Sequence, residues 1–513
     1  MLVQSRLRGS VFCSSSRSFA TTARRTNLPV VPLWINGQAS TSSSGGSVTH
    51  KHPKSARETC EVIVAGEDET NQAILDSKRA FEDWRNVNGW ERKGILQNVV
   101  QLLKDRKDTF TEALKADASF ADIVIGGDQM SASHLVEGAA NTAISVEGSI
   151  PQTKDDSFSM VLRQPYGPVL SIPAFNYPLT LALRSIAYPL ACGNTVLLRA
   201  SPLLPQFFGL LAPLFEDAGL PKGVLQTLNL SEKDAPARVE QLIAHRDVKM
   251  VNFTGSVRLG KILAAKCGEH LKPSVMELGG KSIAIVLPNA DLKLAANNIL
   301  FGAFFNSGQV CMSTEQVLVH SDIAAEFEEI LKQTAEEAQW GEGMEMVRPD
   351  SGIGARAMYD DAVKGGAKPL YSASPSSTSS TTTSFPPTIL TSLSPKTTLY
   401  REESFAPLLS LHTFDNIDKI IEYANSHSTG LSTSIFSQDF QESLELAKKL
   451  ESGAVHVNGM TIHDQHNLPH GGWKNSGWGR FNGIGAIESF TQTKNIRFAK
   501  EAMLPIGAMY KGL

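Results

Sequence analysis

The sequence predicts an α/β protein built on parallel, doubly wound sheets, and three observations carry that reading. From Val169 onward, short apolar strands alternate with helical segments, the pattern of parallel strands joined by crossover helices. A second unit of the same type opens at Ser282. The composition is that of a globular enzyme: 513 residues, 42% hydrophobic, 19% charged, with 40 Gly and 25 Pro. It excludes a chain that is disordered throughout, fibrous or collagen-like. At about 150 residues per domain, the length allows roughly three domain-sized units. No apolar run approaches the ~18 residues of a membrane span. The 48 basic and 52 acidic residues leave a net charge of -4, which gives no signal for a nucleic-acid or membrane partner.

The elements follow in order. Residues 1–25 carry Arg6, Arg8, Arg17, Arg24 and Arg25 and no acid, and six serines lie among them. Such a segment reads as a mitochondrial presequence over 1–26, with an idle tail as the other reading; GSVFC is too short for a secretory core. Matrix location is the expectation and a cytoplasmic one the alternative. From about Asp68 to Lys115, apolar residues recur at helical spacing. Then come strand VLSIPA, helix LALRSIAYPLA, strand TVLLRAS, helix LLAPLFEDAG, strand VLQTLNL, helix RVEQLIAHR, strand VKMVNFTGS and helix LGKILAAKCG. SIAIVLP, DLKLAANNILFGAFF, QVLVH and AAEFEEILKQTAEEAQ continue the second unit, and GAVHVNG is a late strand. SASPSSTSSTTTS, Ser372–Ser384, reads as a flexible surface loop. The five cysteines are odd in number and form no CxxC pair, which fits a reducing compartment better than a disulfide framework or a zinc site.

Three segments carry candidate chemistry. In NSGQVCMS, Cys311 follows a glycine-bearing turn. Unactivated, a thiol is only a few per cent ionised at pH 7, yet it is the best nucleophile in the chain. Taken alone, it reads equally as a buried, inert cysteine. In MELGGKS, Glu277 lies between apolar residues and a Gly pair, where a carboxylate can act as a general base or simply cap or pair. FTGSVRLG follows a strand and opens a helix, so its Gly-Ser turn presents backbone N–H groups to a phosphate. It is not GxGxxG and also reads as a plain tight turn.

Together these segments resemble the aldehyde dehydrogenase superfamily. AFNYP, LACGNTVLLRAS, AGLPKGVLQTL, FTGSVRLG, MELGGKS, NSGQVCMS, REESFAP and HGGWKNSGWGRFNG stand in family order, and the resemblance runs from about Leu33 to Asn495. The 34-residue gap from Glu277 to Cys311 matches the family's. The resemblance implies Cys311 as nucleophile, Asn176 with the Cys311 N–H as oxyanion hole, and Glu277 as the base that activates water. It implies a nicotinamide dinucleotide held by Ile172, Pro173, Phe175, Arg199, Ser201, Phe253, Gly255, Ser256, Gly260, Leu278, Glu403 and Phe405. Gly255, Ser256 and Gly260 would lie at the pyrophosphate, Glu403 at the nicotinamide ribose, and Phe405 by the nicotinamide.

There are departures from the family pattern. Phe175 replaces a usual Trp and Arg199 a usual Lys. Pro202 stands where a Glu often repels a 2′-phosphate, so NAD is expected and NADP is not excluded. The stretch Gly354–Lys364 is about eight residues shorter than usual, which suggests a clipped surface helix.

Glu277 favours hydrolysis to the acid over transfer to CoA. RSIAYPLACGNTV and VNGMTIHDQHNLPHGGWKNSGWGRFNG resemble the salicylaldehyde dehydrogenase branch, whose members oxidise benzaldehyde-type substrates. There Arg184 lines the substrate pocket. It lies eight residues after Asn176 on the same predicted helix, ~2.2 turns, which puts both near one face. Tyr177 and Met312 flank Asn176 and Cys311 and are expected to shape the pocket. His463, His466 and His470 read as a polar tunnel wall rather than a metal site, and Trp473 and Trp478 as core or interface packing. A broad aliphatic or semialdehyde dehydrogenase is the alternative enzyme, and a catalytically silent structural relative the alternative of another class. The resemblance implies two doubly wound, three-layer Rossmann-like domains plus a small β oligomerisation arm. Residues 27–149 and 166–278 would bind the dinucleotide, 279–485 would be catalytic, and 150–165 with 486–513 would form the arm and tail of a homodimer or homotetramer.

Overall fold

A computed structural model of the chain describes residues 28–154, 157–338, 344–373 and 382–499. The presequence, most of the Ser-rich loop and the C-terminal LPIGAMYKGL lie outside the described residues. Two large sheets dominate, as the alternating pattern predicts. The first has eight strands in the spatial order Gly477–Trp478, Ser274–Leu278, Met250–Gly255, Pro168–Ile172, Thr195–Arg199, Leu225–Leu228, Leu33–Ile35 and Gln38–Ser40. Its five inner strands are parallel and its edges antiparallel. The second has seven: Lys368–Ser372, Thr388–Thr391, Leu408–Phe414, Thr314–His320, Ser282–Val286, Ser432–Phe436 and Ala454–Val457. All its pairs are parallel except the first.

Strand order fixes where a ligand can sit. In the first sheet the chain builds outward from Pro168–Ile172 to Leu225–Leu228, then returns to add Met250–Gly255 on the other side. The crevice between Ile172 and Gly255 is therefore the switch point, the usual ligand site of such sheets. Every residue of strand Pro168–Ile172 and of helix Pro178–Ala191 is buried, so these segments read as near-continuous apolar runs without alternation.

Two features differ from the expectations, and two refine them. The Asp68–Lys115 pattern resolves into helices Glu67–Trp84, Gly89–Asp105 and Lys107–Asp117; Asn88 starts the second by accepting the Glu91 N–H. Helix Asp122–Ala143 gave no sequence signal, because its buried Ala, Gly, Val and Leu residues lie on several faces and make no stripe. The chain past Gly477 returns to the first domain. Strand Gly477–Trp478 joins its sheet, and helix Gly483–Phe490 packs on helices Asp122–Ala143 and Pro178–Ala191, with Phe481 and Phe490 in that core. Among the described residues, Thr491–Phe498 forms the arm, as an antiparallel ribbon with Phe158–Pro165. Finally, Trp473 and Trp478 are each 47% exposed and do not belong to a core of this chain. The shortened 354–364 stretch lies within a 14-residue helix, Ser351–Lys364.

Candidate active site

The loop bearing Cys311 is held in an unusual backbone. Helix Leu292–Phe304 ends, and Asn306, Ser307 and Gly308 follow with φ of 51°, 55° and 71°. Left-handed conformations cost L-residues free energy; Asn tolerates them best and Gly pays least. At Gly308 a Cβ would fall 2.3 Å from the Ala406 carbonyl oxygen, so glycine is required there. Side chains brace the loop. Asn306 Nδ2 donates to the Asn176 carbonyl at 2.7 Å, Asn176 Nδ2 donates to the Gln309 carbonyl at 2.8 Å, and Gln309 Nε2 donates to the Asn306 carbonyl at 3.0 Å. Asn176 is 4% exposed. An amide nitrogen carries two hydrogens, so one remains for an oxyanion. Asn176 does not share the Arg184 helix. That helix begins at Pro178, which suits the first helical position, and Asp128 caps it by accepting the Leu179 and Thr180 N–H groups at 2.8 Å each.

Cys311 is partly exposed. Burial raises its thiol pKa well above the ordinary value, the carboxylates of Glu277 and Glu403 raise it further, and Arg184 opposes them. Glu277 lies in strand Ser274–Leu278, paired to Thr254 and Gly477, and is 1% exposed. Neither of its carboxylate oxygens has a hydrogen-bond partner among the described residues. A buried carboxylate left so is costly and marks a reactive group.

The residues expected around the aldehyde occupy distinct places. Tyr177 packs edge-on against Phe305 at 6.3 Å, and Phe305 stacks on the half-exposed Phe301 at 5.1 Å. Burial, and then Asp128, raise the Tyr177 pKa, so it stays a neutral phenol. Met312 is buried and its carbonyl accepts the Thr461 hydroxyl at 2.6 Å. Arg184 is 3% exposed, and its guanidinium is engaged: it pairs with Asp464 and lies 5.6 Å from the Phe481 ring centre. Burial alone would lower its pKa, but the Asp464 and Glu277 charges raise it, so Arg184 stays charged.

At the switch point the dinucleotide residues converge. Ser256 caps helix Val257–Glu269 by accepting the Leu259 N–H, leaving an open helix N-terminus beside Gly255, the kind of end that binds anions. A Cβ at Gly255 would strike Phe253, and one at Gly279 would fall 2.1 Å from Glu403 Oε2. Those two glycines keep room for a ligand chain. Gly260 has a different use: a Cβ there would meet Leu278 at 2.5 Å, so it packs the helix onto the strand. Ile172, Pro173, Phe253, Leu278 and Ser201 are buried, and Phe175 faces Phe405 edge-on at 6.4 Å. Arg199 has its pKa pushed down to about 10 by burial, partly offset by Glu232. Burial, then Glu315 and Glu277, push Glu403 up to about 8; Lys281 and the Gly280 N–H oppose them. The residues present therefore fit a dinucleotide, whose phosphates Gly255 and Ser256 could hold and whose ribose hydroxyls Glu403 could hold.

Two features escaped the sequence reading. Lys281 and Glu315 form a buried ion pair, 1% and 3% exposed, and Glu315 accepts the N–H groups of Ser404 and Phe405. This pins Phe405 at φ 47°, a strained conformation for an aromatic residue. Leu259 and Ile262 are 40% and 50% exposed beside the open helix end and add apolar surface there. The spacing of these residues carries no separate signal, because each partner lies far away in the chain.

Comparison with known proteins agrees with this geometry. Residues 40–496 match the aldehyde dehydrogenase family. A vanillin dehydrogenase of Pseudomonas fluorescens is 37% identical over 472 residues, spanning 90% of this chain and 97% of the relative. The crystal structure of a salicylaldehyde dehydrogenase from Pseudomonas putida G7, complexed with salicylaldehyde, superposes with a TM-score of 0.89 at 33% identity, covering 93% of this chain and 100% of the other. An NAD+ complex of an aldehyde dehydrogenase from Bacillus cereus superposes at 0.86 and 26% identity, covering 92% and 97%.

Proposed function

This chain belongs to the aldehyde dehydrogenase family, and from that premise we propose that it oxidises aromatic aldehydes of the benzaldehyde or salicylaldehyde type to free acids, with NAD preferred over NADP. The observation that carries the substrate class is the aromatic wall of Tyr177, Phe305 and Phe301, which begins beside Asn176 and ends half-exposed. Flat rings pack on such a wall with favourable edge and stacked geometries. The vanillin and salicylaldehyde relatives support the same reading. For the cofactor, Glu232 is near enough to act on the charge of Arg199 and opposes a 2′-phosphate in place of the acid missing at Pro202.

The chain's own residues divide the work. Cys311 sulfur bonds to the aldehyde carbon, and the oxyanion so formed is received by the free Asn176 N–H and the Cys311 backbone N–H. A dinucleotide held by these residues would supply the hydride acceptor needed for the aldehyde to reach the acid oxidation state. Glu277 then takes a proton from water as its oxygen attacks the thioester carbon, and Cys311 leaves as thiolate. Burial and its acidic neighbours raise the Cys311 pKa, so the thiol proton is shed to solvent as the sulfur bonds to carbon, and Glu277 stays free for the second half-reaction.

The test is kcat/KM for salicylaldehyde, benzaldehyde, a short aliphatic aldehyde and a semialdehyde, each with NAD and NADP. The aromatic aldehydes win by about tenfold or more, ~1.4 kcal/mol, and NAD by a similar margin. A flat or aliphatic-favouring profile would leave the Cys311 chemistry standing and overturn the substrate class.

A further inference from the structure

His470 stands between two carboxylates. Its Nε2 is 3.8 Å from Glu277 Oε1, and its Nδ1 is 3.6 Å from Asp464 Oδ1. The His470 side chain is 7% exposed and that of Glu277 2%. Neither contact is a hydrogen bond, and His470 Nε2 and both Glu277 oxygens have no other hydrogen-bond partner among the described residues. Asp464 is fixed by Arg184 and by Asn482 Nδ2 at 3.0 Å. Burial alone would raise the Asp464 pKa, but the charges of Arg184 and His470 and the two hydrogen bonds lower it, so it remains an anion.

Backbone pairing fixes the main chain at residue 470. The His470 N–H donates to Phe481 O at 3.0 Å, and the Phe481 N–H donates to His470 O at 2.9 Å. The charged or titratable groups around the ring are Glu277, Asp464, Arg184 behind Asp464, His456, and Cys311 across Glu277. An imidazole whose Nδ1–H is directed at a carboxylate presents its Nε2 lone pair on the opposite side, here toward the base.

We propose that His470 is the proton store of Glu277, a positioning and relay residue for thioester hydrolysis. The inference rests on Glu277 being the hydrolytic base. Water oxygen bonds to the thioester carbon, and one water proton moves to Glu277 and on to His470 Nε2. The C–S bond breaks, and Cys311 leaves as thiolate. The imidazolium, flanked by Glu277 and Asp464, is stabilised by both anions while Glu277 is ionised again. The stored proton then returns through Glu277 to the Cys311 thiolate. The sum is thioester plus water giving acid plus thiol, with no redox change in this half-reaction.

The test is single-turnover quench-flow with benzaldehyde and NAD on the full chain and on His470→Phe and His470→Gln, from pH 6 to 9. NADH formation reads the first half-reaction and benzoate formation the second. NADH formation stays within about twofold of the unaltered chain in both variants, and benzoate formation slows about tenfold or more and loses its pH dependence. In steady state the loss appears in kcat and not in the aldehyde KM. Benzoate formation at the unaltered rate and pH profile in either variant would overturn the proposal. So would rescue by Gln, which hydrogen-bonds and does not titrate. Absence of NADH formation by the unaltered chain would instead overturn aldehyde oxidation itself, so the two failures are distinguishable.

Discussion

Asn176 spends one amide hydrogen on the Gln309 carbonyl and keeps the other for chemistry. It braces the loop that carries Cys311 and, in the proposed mechanism, also receives the oxyanion. Asn176→Ala removes both, and kcat falls by about 10²–10³ as for the loss of one oxyanion donor, measured as steady-state NADH formation. An unchanged kcat would remove Asn176 from the site. At this scale the sequence was most legible. Cys311, Glu277 and Asn176 each stood in a motif whose order and spacing carried the resemblance. What stayed hidden was pairing. His470 read as a wall residue because its partner Glu277 is remote in the chain, and Arg184 read as a pocket residue with no sign of its pairing through Nη2 with Asp464.

Among elements, the decisive one is the segment carrying Glu403 and Phe405. It has no regular structure of its own and borrows its shape from the buried Lys281–Glu315 pair. Lys281→Met leaves Glu315 buried without its cation, a change that costs about 3–5 kcal/mol. The expected result is a lower thermal midpoint together with a raised KM for the dinucleotide, because Phe405 loses its anchor. A stable variant with unchanged dinucleotide KM would show that the pair does not hold that segment. The strands and crossover helices were legible because burial on both faces makes them continuous apolar runs. Helix Asp122–Ala143 was not, since small residues buried on several sides leave no periodic stripe. The position of Asn176 was also misjudged: Pro178 sets the helix start two residues later.

Over the whole molecule, burial sets a pH dependence that the sequence could not reveal. Asp117 is fully buried and accepts the Phe207 N–H at 2.9 Å and Gln206 Nε2 at 3.1 Å. Burial pushes its pKa up to about 7, against hydrogen bonds that lower it. A carboxyl whose folded pKa is raised adds stability that is full below its unfolded pKa, near 4, and is lost as pH rises through about 7. The loss is on the order of 4 kcal/mol. Asp117→Asn carries no such dependence. Whatever the fixed cost of the amide, the thermal midpoint of the variant gains on the unaltered chain between pH 5 and pH 8. A gap independent of pH would show that Asp117 does not titrate there. The architecture at this scale was read correctly as two parallel doubly wound sheets with a β arm. The return of residues 477–490 to the first sheet was missed because Phe481 and Phe490 reveal their core only once the helices they touch are in place.

The central claim is that a thioester on Cys311 is opened by water that Glu277 activates. Its most direct measurement is peptide mass spectrometry of Glu277→Gln quenched after mixing with benzaldehyde and NAD. The expected result is one equivalent of NADH and a benzoyl group on the peptide bearing Cys311, persisting because hydrolysis has lost its base. Continued turnover with no acyl group on Cys311, or an acyl group on Cys60, Cys192 or Cys267 instead, would contradict it.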